Sequence, residues 1–164
     1  TRPTSDRVKE TLFNILGDRV VDASFLDLFA GSGDVGIEAL SRGAERAVFV
    51  ESSRRAAQVI RENLASCGIS SGYLVLCKTV ASALTLLEGR GERFDLIFLD
   101  PPYASTLAAE TLEKISQGTL LRPGGLVVAE HHHKTLLADE YGWLRRIRRK
   151  LIGETALSFY AVEA

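Results

Sequence analysis

Residues 27–36 read Asp27-Leu28-Phe29-Ala30-Gly31-Ser32-Gly33-Asp34-Val35-Gly36, and the reading of this stretch decides the fold. Gly31, Gly33 and Gly36 match G-x-G-x-x-G between an apolar run that reads as a strand, Phe25–Phe29, and a helical stretch, Asp34–Ser41. Glycines at such a turn permit a tight bend and let a ligand approach the backbone closely. Glu51 ends the next apolar run, Ala47–Val50, twenty positions after Gly31. A carboxylate placed there can accept both hydroxyls of a ribose. The pattern points to a ligand that carries a nucleoside, without saying which.

Outward from this loop the same alternation continues. Ser53–Cys67 reads as a helix stopped by Gly68, Tyr73–Cys77 as a strand, and Val80–Glu88 as a helix. Phe94–Leu99 is almost continuously apolar, which suits a strand buried on both faces. Ser105–Gln117 reads as a helix ending at Gly118, and Leu126–Glu130 as a strand. Upstream, Val8, Leu12, Ile15 and Leu16 recur at helical spacing over residues 5–16, with Thr4 or Ser5 as N-cap after Pro3. At the other end, Arg146–Ile152 and Thr155–Val162 flank Gly153-Glu154 as a β-hairpin. Repeated βα units dictate parallel strands with helices on both faces. The expectation is an α/β, Rossmann-like fold over residues 1–164 as a single domain. Its sheet is a mostly parallel seven-stranded one with a C-terminal antiparallel hairpin.

Composition bounds the function. With 46% hydrophobic and 25% charged residues in 164, disorder is excluded. The longest apolar runs fall well short of the roughly 18 residues a membrane helix needs. A net charge of −1 neither suggests nor excludes a nucleic acid partner, so local clusters must carry that argument. Cys67 and Cys77 lack CxxC spacing, so neither a zinc site nor a disulfide framework is expected. Without a secretory apolar segment at its start, the chain is expected to be cytoplasmic. It begins at Thr1 and has no Met, so its true N-terminus is expected to be missing.

Two features choose the chemistry. Asp27 stands at a strand end, four residues before the first glycine. A carboxylate there suits the ammonium of a methionine moiety and repels a pyrophosphate, which favours S-adenosylmethionine over NAD. The strand Phe94–Leu99 then runs into Asp100-Pro101-Pro102-Tyr103. Two prolines fix φ and remove two N–H donors, leaving the Pro101 carbonyl as an acceptor. Exocyclic amines of purines are poor nucleophiles because their lone pair is delocalised into the ring. Two acceptors, Asp100 and the Pro101 carbonyl, can bind both amine hydrogens and favour a nitrogen whose lone pair is free. Tyr103 can stack on a base that has left its helix or loop.

The remaining clusters are plainer. Arg145, Arg146, Arg148, Arg149 and Lys150 form a basic run that suits phosphate contacts or protection of an exposed edge strand. Arg54, Arg55 and Arg61 read as a solvated helix face. His131-His132-His133 invites a metal reading, but successive strand residues alternate faces, so a loop surface and no metal are expected. Trp143 and Phe159 are assigned to packing.

Asp27–Gly36 followed by Asp100–Tyr103 resembles the amino-methyltransferase pattern in which a DPPY turn follows an FxGxG loop. The opening Arg2–Asn14, with Leu26–Gly33, Glu38–Ala44 and Glu51, resembles the RsmD family of bacterial 16S ribosomal RNA guanine-N2-methyltransferases. The likeness spans nearly the whole chain. It implies that Asp27, Gly31 and Gly33 line the methionine and ribose side of S-adenosylmethionine and that Glu51 holds the ribose hydroxyls. By the same resemblance Asp100, Pro101 and Tyr103 hold the target guanine, and the Thr4–Arg7 segment closes over the cofactor. The implied substrate is guanine 966 of 16S RNA in an assembled or partly assembled small subunit. Neither DNA nor a membrane is expected as a partner, and a monomer is expected. The chain departs from the family at Thr79-Val80, where an acid or amide usually precedes a small residue, so adenine recognition is expected to rely on backbone atoms. The family's basic N-terminal arm is likewise expected to be among the missing residues. The alternatives are an adenine-N6-methyltransferase of DNA or RNA, a nicotinamide-dependent oxidoreductase, and a non-catalytic nucleotide-binding domain.

Overall fold

A computed structural model describes residues 5–103 and 105–162. Five helices arise where apolar residues recur at helical spacing: α1 (Asp6–Leu16), α2 (Asp34–Ser41), α3 (Arg54–Ser66), α4 (Val80–Gly89) and α5 (Leu107–Ser116). Ser5 caps α1 by accepting from the Val8 N–H, and Ser53 and Thr79 cap α3 and α4 in the same way. The strands are β1 (Ser24–Leu28), β2 (Arg46–Val50), β3 (Tyr73–Leu76), β4 (Phe94–Leu99), β5 (Leu121–His132), β6 (Glu140–Tyr141), β7 (Leu144–Ile152) and β8 (Thr155–Val162). They form one sheet in the order β3-β2-β1-β4-β5-β8-β7-β6. β1 to β5 pair in parallel, and β8, β7 and β6 follow antiparallel to their neighbours.

The sheet therefore holds eight strands, one beyond the seven expected. The extra strand, β6, has two residues and no periodicity to detect. β5 also begins earlier than expected, because Leu121 pairs with Phe94 before a register shift carries the strand on to Leu126. Gly124 (φ 84°) and Gly125 lie in that irregular stretch, which reads in sequence as a turn.

Alternation along the strands builds two cores. Phe25, Phe49, Phe98 and Val128 face α1, α2 and α3, whereas Leu26, Val50, Leu99 and Ala129 face α4 and α5. Phe159 and Tyr160 continue the two cores onto the hairpin. Phe159 packs as expected, but Trp143 does not. It is 77% exposed in the turn between β6 and β7, where Leu144 takes the buried position.

Order β2-β1-β4 puts the switch in strand order between β1 and β4, and ligands in open α/β sheets bind outside the carboxyl ends of strands at such a point. The third glycine of the loop seats α2 there. A Cβ on Gly36 would overlap the Phe49 ring, 2.8 Å from its Cζ, and approach Asp27 Oδ2 to 3.1 Å. Gly36→Ala is accordingly expected to destabilise the protein by about 1–3 kcal/mol. Urea unfolding measures this, and an unchanged midpoint would refute the packing argument.

Candidate functional site

The loop after β1 turns sharply. Phe29 adopts φ 58°, a conformation that costs a bulky side chain strain, and Gly31 and Gly33 follow at φ 58° and 81°. Asn63 of α3 donates to the Ser32 carbonyl at 2.9 Å and pins the loop's tip. Lys9 of α1 pairs with Asp34 at 3.1 Å, tying α1 to the start of α2.

Two carboxylates serve this loop from inside. Glu51 Oε1 accepts from the Gly31 N–H and Oε2 from the Ser53 N–H, both at 2.9 Å. Asp27 Oδ2 accepts from the Gly36 N–H at 3.0 Å. Neither bond was legible in the sequence: Glu51 reaches Gly31 because β2 pairs with β1, and Asp27 reaches Gly36 because α2 packs back on β1. Every carboxylate oxygen retains a second lone pair, so Glu51 can still accept ribose hydroxyls.

A cleft of about 530 Å³ opens over this arrangement, lined by Asp27, Phe29, Gly31, Asp34, Glu51, Arg55, Val59 and Asp100, among others. It brings together Asp27, Gly31, Glu51 and Asp100 as the sequence predicted. Gly33 stays outside it. Its place is structural, since a Cβ there would meet Ile60 Cγ2 at 3.0 Å. Thr79 and Val80 are also outside the lining, and the Thr79 hydroxyl is spent on the α4 cap. Phe29, Val59 and Arg55 are additions that sequence reasoning missed. Arg55, on the helix face expected to be solvated, lines the cleft.

The cleft fits S-adenosylmethionine and opposes a dinucleotide. Its lining carries four carboxylates, at Asp27, Asp34, Glu51 and Asp100, against one arginine. The Gly31 and Gly36 amides, which a pyrophosphate would need, already donate to the protein's own carboxylates. Asp27 is 2% exposed, and burial pushes its carboxyl well above the usual range. The Gly36 N–H bond pulls it back, while the charges of Asp34, Glu51 and Glu130 push it further up. A cationic ammonium is the partner such a group lacks.

A second cleft of about 720 Å³ adjoins the first, and Asp100 lines both. Its walls include Pro101, Pro102, Tyr103, Glu130, His131 and Glu154, with Ser5 and Val8 of α1. Tyr103 is 71% exposed, its ring edge-on to His132 at 5.1 Å between centroids. Of the Thr4–Arg7 segment, Thr4 lies outside the described residues, and Arg7 is exposed and lines neither cleft.

The histidines depart from expectation. His131 is buried rather than on a loop surface. Its Nδ1 meets the His132 carbonyl at 2.9 Å and its Nε2 meets Ser158 Oγ at 2.8 Å, and burial lowers its pKa. A carbonyl only accepts, so Nδ1 carries the proton and Nε2 accepts from the hydroxyl. His132 and His133 do converge, because β5 ends at His132 and releases the alternation. Their rings stack at 4.5 Å, and the ligand atoms of His132, His133 and Glu154 lie within 4.8 Å of one another. His132 Nδ1 is meanwhile engaged, accepting from the Lys134 N–H at 3.1 Å.

The basic run is divided by the sheet. A register shift at Ile147 places Arg146 opposite Tyr160 and Arg149 opposite Ser158, whereas Arg148 and Lys150 stand opposite Phe159 and Leu157 on the other face. Arg146 pairs with Asp139 at 2.7 Å, and Arg145 approaches Glu140 at 3.8 Å. The five residues thus form no single patch.

Asp27 generates a prediction with a defined sign. Its folded pKa lies above its unfolded value, so the folded protein binds the extra proton, and stability falls as pH rises through the window between the two. Asp27→Asn keeps an acceptor for the Gly36 N–H and removes the charge. The variant is expected to melt higher than the wild type at pH 7, with the gain shrinking as pH falls and gone below about pH 4. Its affinity for S-adenosylhomocysteine, which carries the same ammonium, should fall roughly 10- to 100-fold. Melting curves and calorimetry check both, and equal melting at pH 7 would contradict the assignment of a buried charge.

Residues 1–161 match the family described as conserved hypothetical protein 95. The ribosomal RNA small subunit methyltransferase D of Escherichia coli K12 is 36% identical over 163 residues, covering 99% of this chain and 80% of that one. Its counterpart in Haemophilus influenzae is 33% identical over 159 residues, covering 97% and 82%. A conserved hypothetical protein of Streptococcus pyogenes superposes with a TM-score of 0.86 at 35% identity, over 95% of this chain and 96% of that one. By the family match over residues 1–161 and these identities over nearly its whole length, the chain belongs to the conserved hypothetical protein 95 family, the RsmD type.

Proposed function

We propose that this protein transfers a methyl group from S-adenosylmethionine to the exocyclic N2 amine of a guanine in 16S ribosomal RNA. By the family likeness that is guanine 966 of an assembled or partly assembled small subunit. The observation that carries the reading is the position of Asp100, which borders both clefts. A group there touches the reacting amine while lying against the cofactor.

S-adenosylmethionine, when bound, supplies an electrophilic methyl on its sulfonium. Asp27 pairs with the ammonium, and Glu51 accepts from the ribose hydroxyls while still bracing the loop through Gly31. Asp100 and the Pro101 carbonyl take the two amine hydrogens, which turns the nitrogen lone pair away from the ring. The Asp100 carboxylate is then the acceptor for the proton that nitrogen sheds. Tyr103, exposed at the rim, stacks on the extruded base, a contact worth roughly 1–3 kcal/mol. Rate comes chiefly from orientation and from the charged hydrogen bond.

An adenine amine would fit the same turn, and the likeness to small-subunit RNA methyltransferases weighs against it. A nicotinamide cofactor would meet four carboxylates and two amides already taken.

The test is transfer of labelled methyl onto small subunits from a strain lacking the cognate activity, followed by digestion. Label in N2-methylguanosine supports the reading, and label in N6-methyladenosine overturns it. Asp100→Ala should lose roughly 100- to 1,000-fold in turnover. Its S-adenosylhomocysteine affinity should stay near the wild-type value, and unchanged turnover would remove Asp100 from the chemistry. Arg148→Ala and Lys150→Ala should each weaken subunit binding and reduce its salt slope by about 1 if they touch phosphates. An unaltered slope would leave the run as edge protection.

A further inference from the structure

Holding an amine does not by itself choose a base, and the second cleft carries a carboxylate that the transfer step leaves unused. Leu99, the last residue of β4, pairs in register with Ala129 of β5. The residues that follow, Asp100 just past the end of β4 and Glu130 still within β5, therefore stand beside each other on neighbouring strands, which run about 4.8 Å apart in the hydrogen-bonding direction. Both line the second cleft. Glu130 stands opposite Leu157, on the face that packs against α1, where Ser5 and Val8 complete the same wall. Glu154 also lines the cleft but sits beyond Thr155, which pairs with His132, and so lies farther from Asp100 along the sheet.

Base chemistry gives this pair a use. On the Watson–Crick edge of guanine the 2-amine is flanked by N1–H, so two neighbouring donors face outward. Adenine and cytosine place a bare ring nitrogen, an acceptor, beside their amines. An ionised carboxylate can only accept. A second carboxylate beside Asp100 therefore matches guanine and meets adenine or cytosine lone pair to lone pair, leaving a desolvated charge unpaired.

We infer that Glu130 selects the base, its carboxylate accepting N1–H of the guanine whose 2-amine lies on Asp100. The inference rests on the guanine-amine reading above and adds the residue that enforces it. Glu130→Gln keeps size and shape but presents a donor as well as an acceptor, so it relaxes the choice.

The discriminating probe is 2,6-diaminopurine, which keeps the 2-amine and replaces N1–H by a lone pair. Small subunits are reconstituted with either guanine or 2,6-diaminopurine at the methylated position, and kcat/KM for labelled methyl transfer is compared. The wild type should prefer guanine by at least roughly 10- to 100-fold. Glu130→Gln should shrink that preference several-fold while binding S-adenosylhomocysteine as the wild type does, and Glu130→Asp should restore part of it. A purely structural role would lower both rates together and leave the ratio alone. Wild-type transfer to guanine with no preference, or with a preference unchanged in Glu130→Gln, overturns the role of Glu130. Absence of any guanine label in the wild type overturns the guanine reading itself. The wild-type ratio stands without any variant, so a poorly folding substitution does not shield the inference.

Discussion

Leu28 and Leu99 pair in register at the ends of two neighbouring parallel strands, and the rest of the site depends on that pairing. The glycine loop leaves β1 and the DPPY turn leaves β4 at the same level of the sheet, on either side of the switch in strand order. The Asp100 N–H still reaches the Leu28 carbonyl, at 3.4 Å. One residue can therefore border both clefts, which is why the proposed transfer is centred on it. A slip of the register by one residue would turn Asp100 to the opposite face of the sheet.

The electrostatics follow from the same geometry. Four carboxylates, Asp27, Glu51, Asp100 and Glu130, stand in or just past the parallel strands on the side of the two clefts. Two of them are absorbed into the loop they support, occupying amides that related folds offer to phosphate groups. The surplus of negative charge suits a ligand that bears cations at its sulfonium and ammonium and donors on its base. Asp27 carries the cost of this arrangement, since its burial disfavours the charged form that an ammonium needs.

Much of this was legible in the chain. The loop Gly31–Gly36, the carboxylate at Glu51 and the turn Asp100–Tyr103 are local patterns, and α2 and β4 fall where the periodicity put them. What was not legible depended on contacts between distant segments. The bonds of Glu51 to Gly31 and of Asp27 to Gly36 exist only because β2 and α2 meet β1. The convergence of His132 and His133 follows from β5 ending at His132, which alternation alone does not reveal. Alternation divides the basic run between the two faces of β7, and the irregularity at Ile147, which the sequence does not reveal, decides which residues share a face. Trp143 read as core by its size, yet the turn that carries it points outward.

The most direct test of the account is a structure of the protein with S-adenosylhomocysteine and a guanine nucleotide bound together. The account predicts the amino acid end on Asp27, the ribose on Glu51, and the base in the cleft beside Tyr103 with its 2-amine on Asp100. The sulfur and the amine should then face each other across that carboxylate. A cofactor product seated elsewhere, or a base whose amine points away from Asp100, would contradict it.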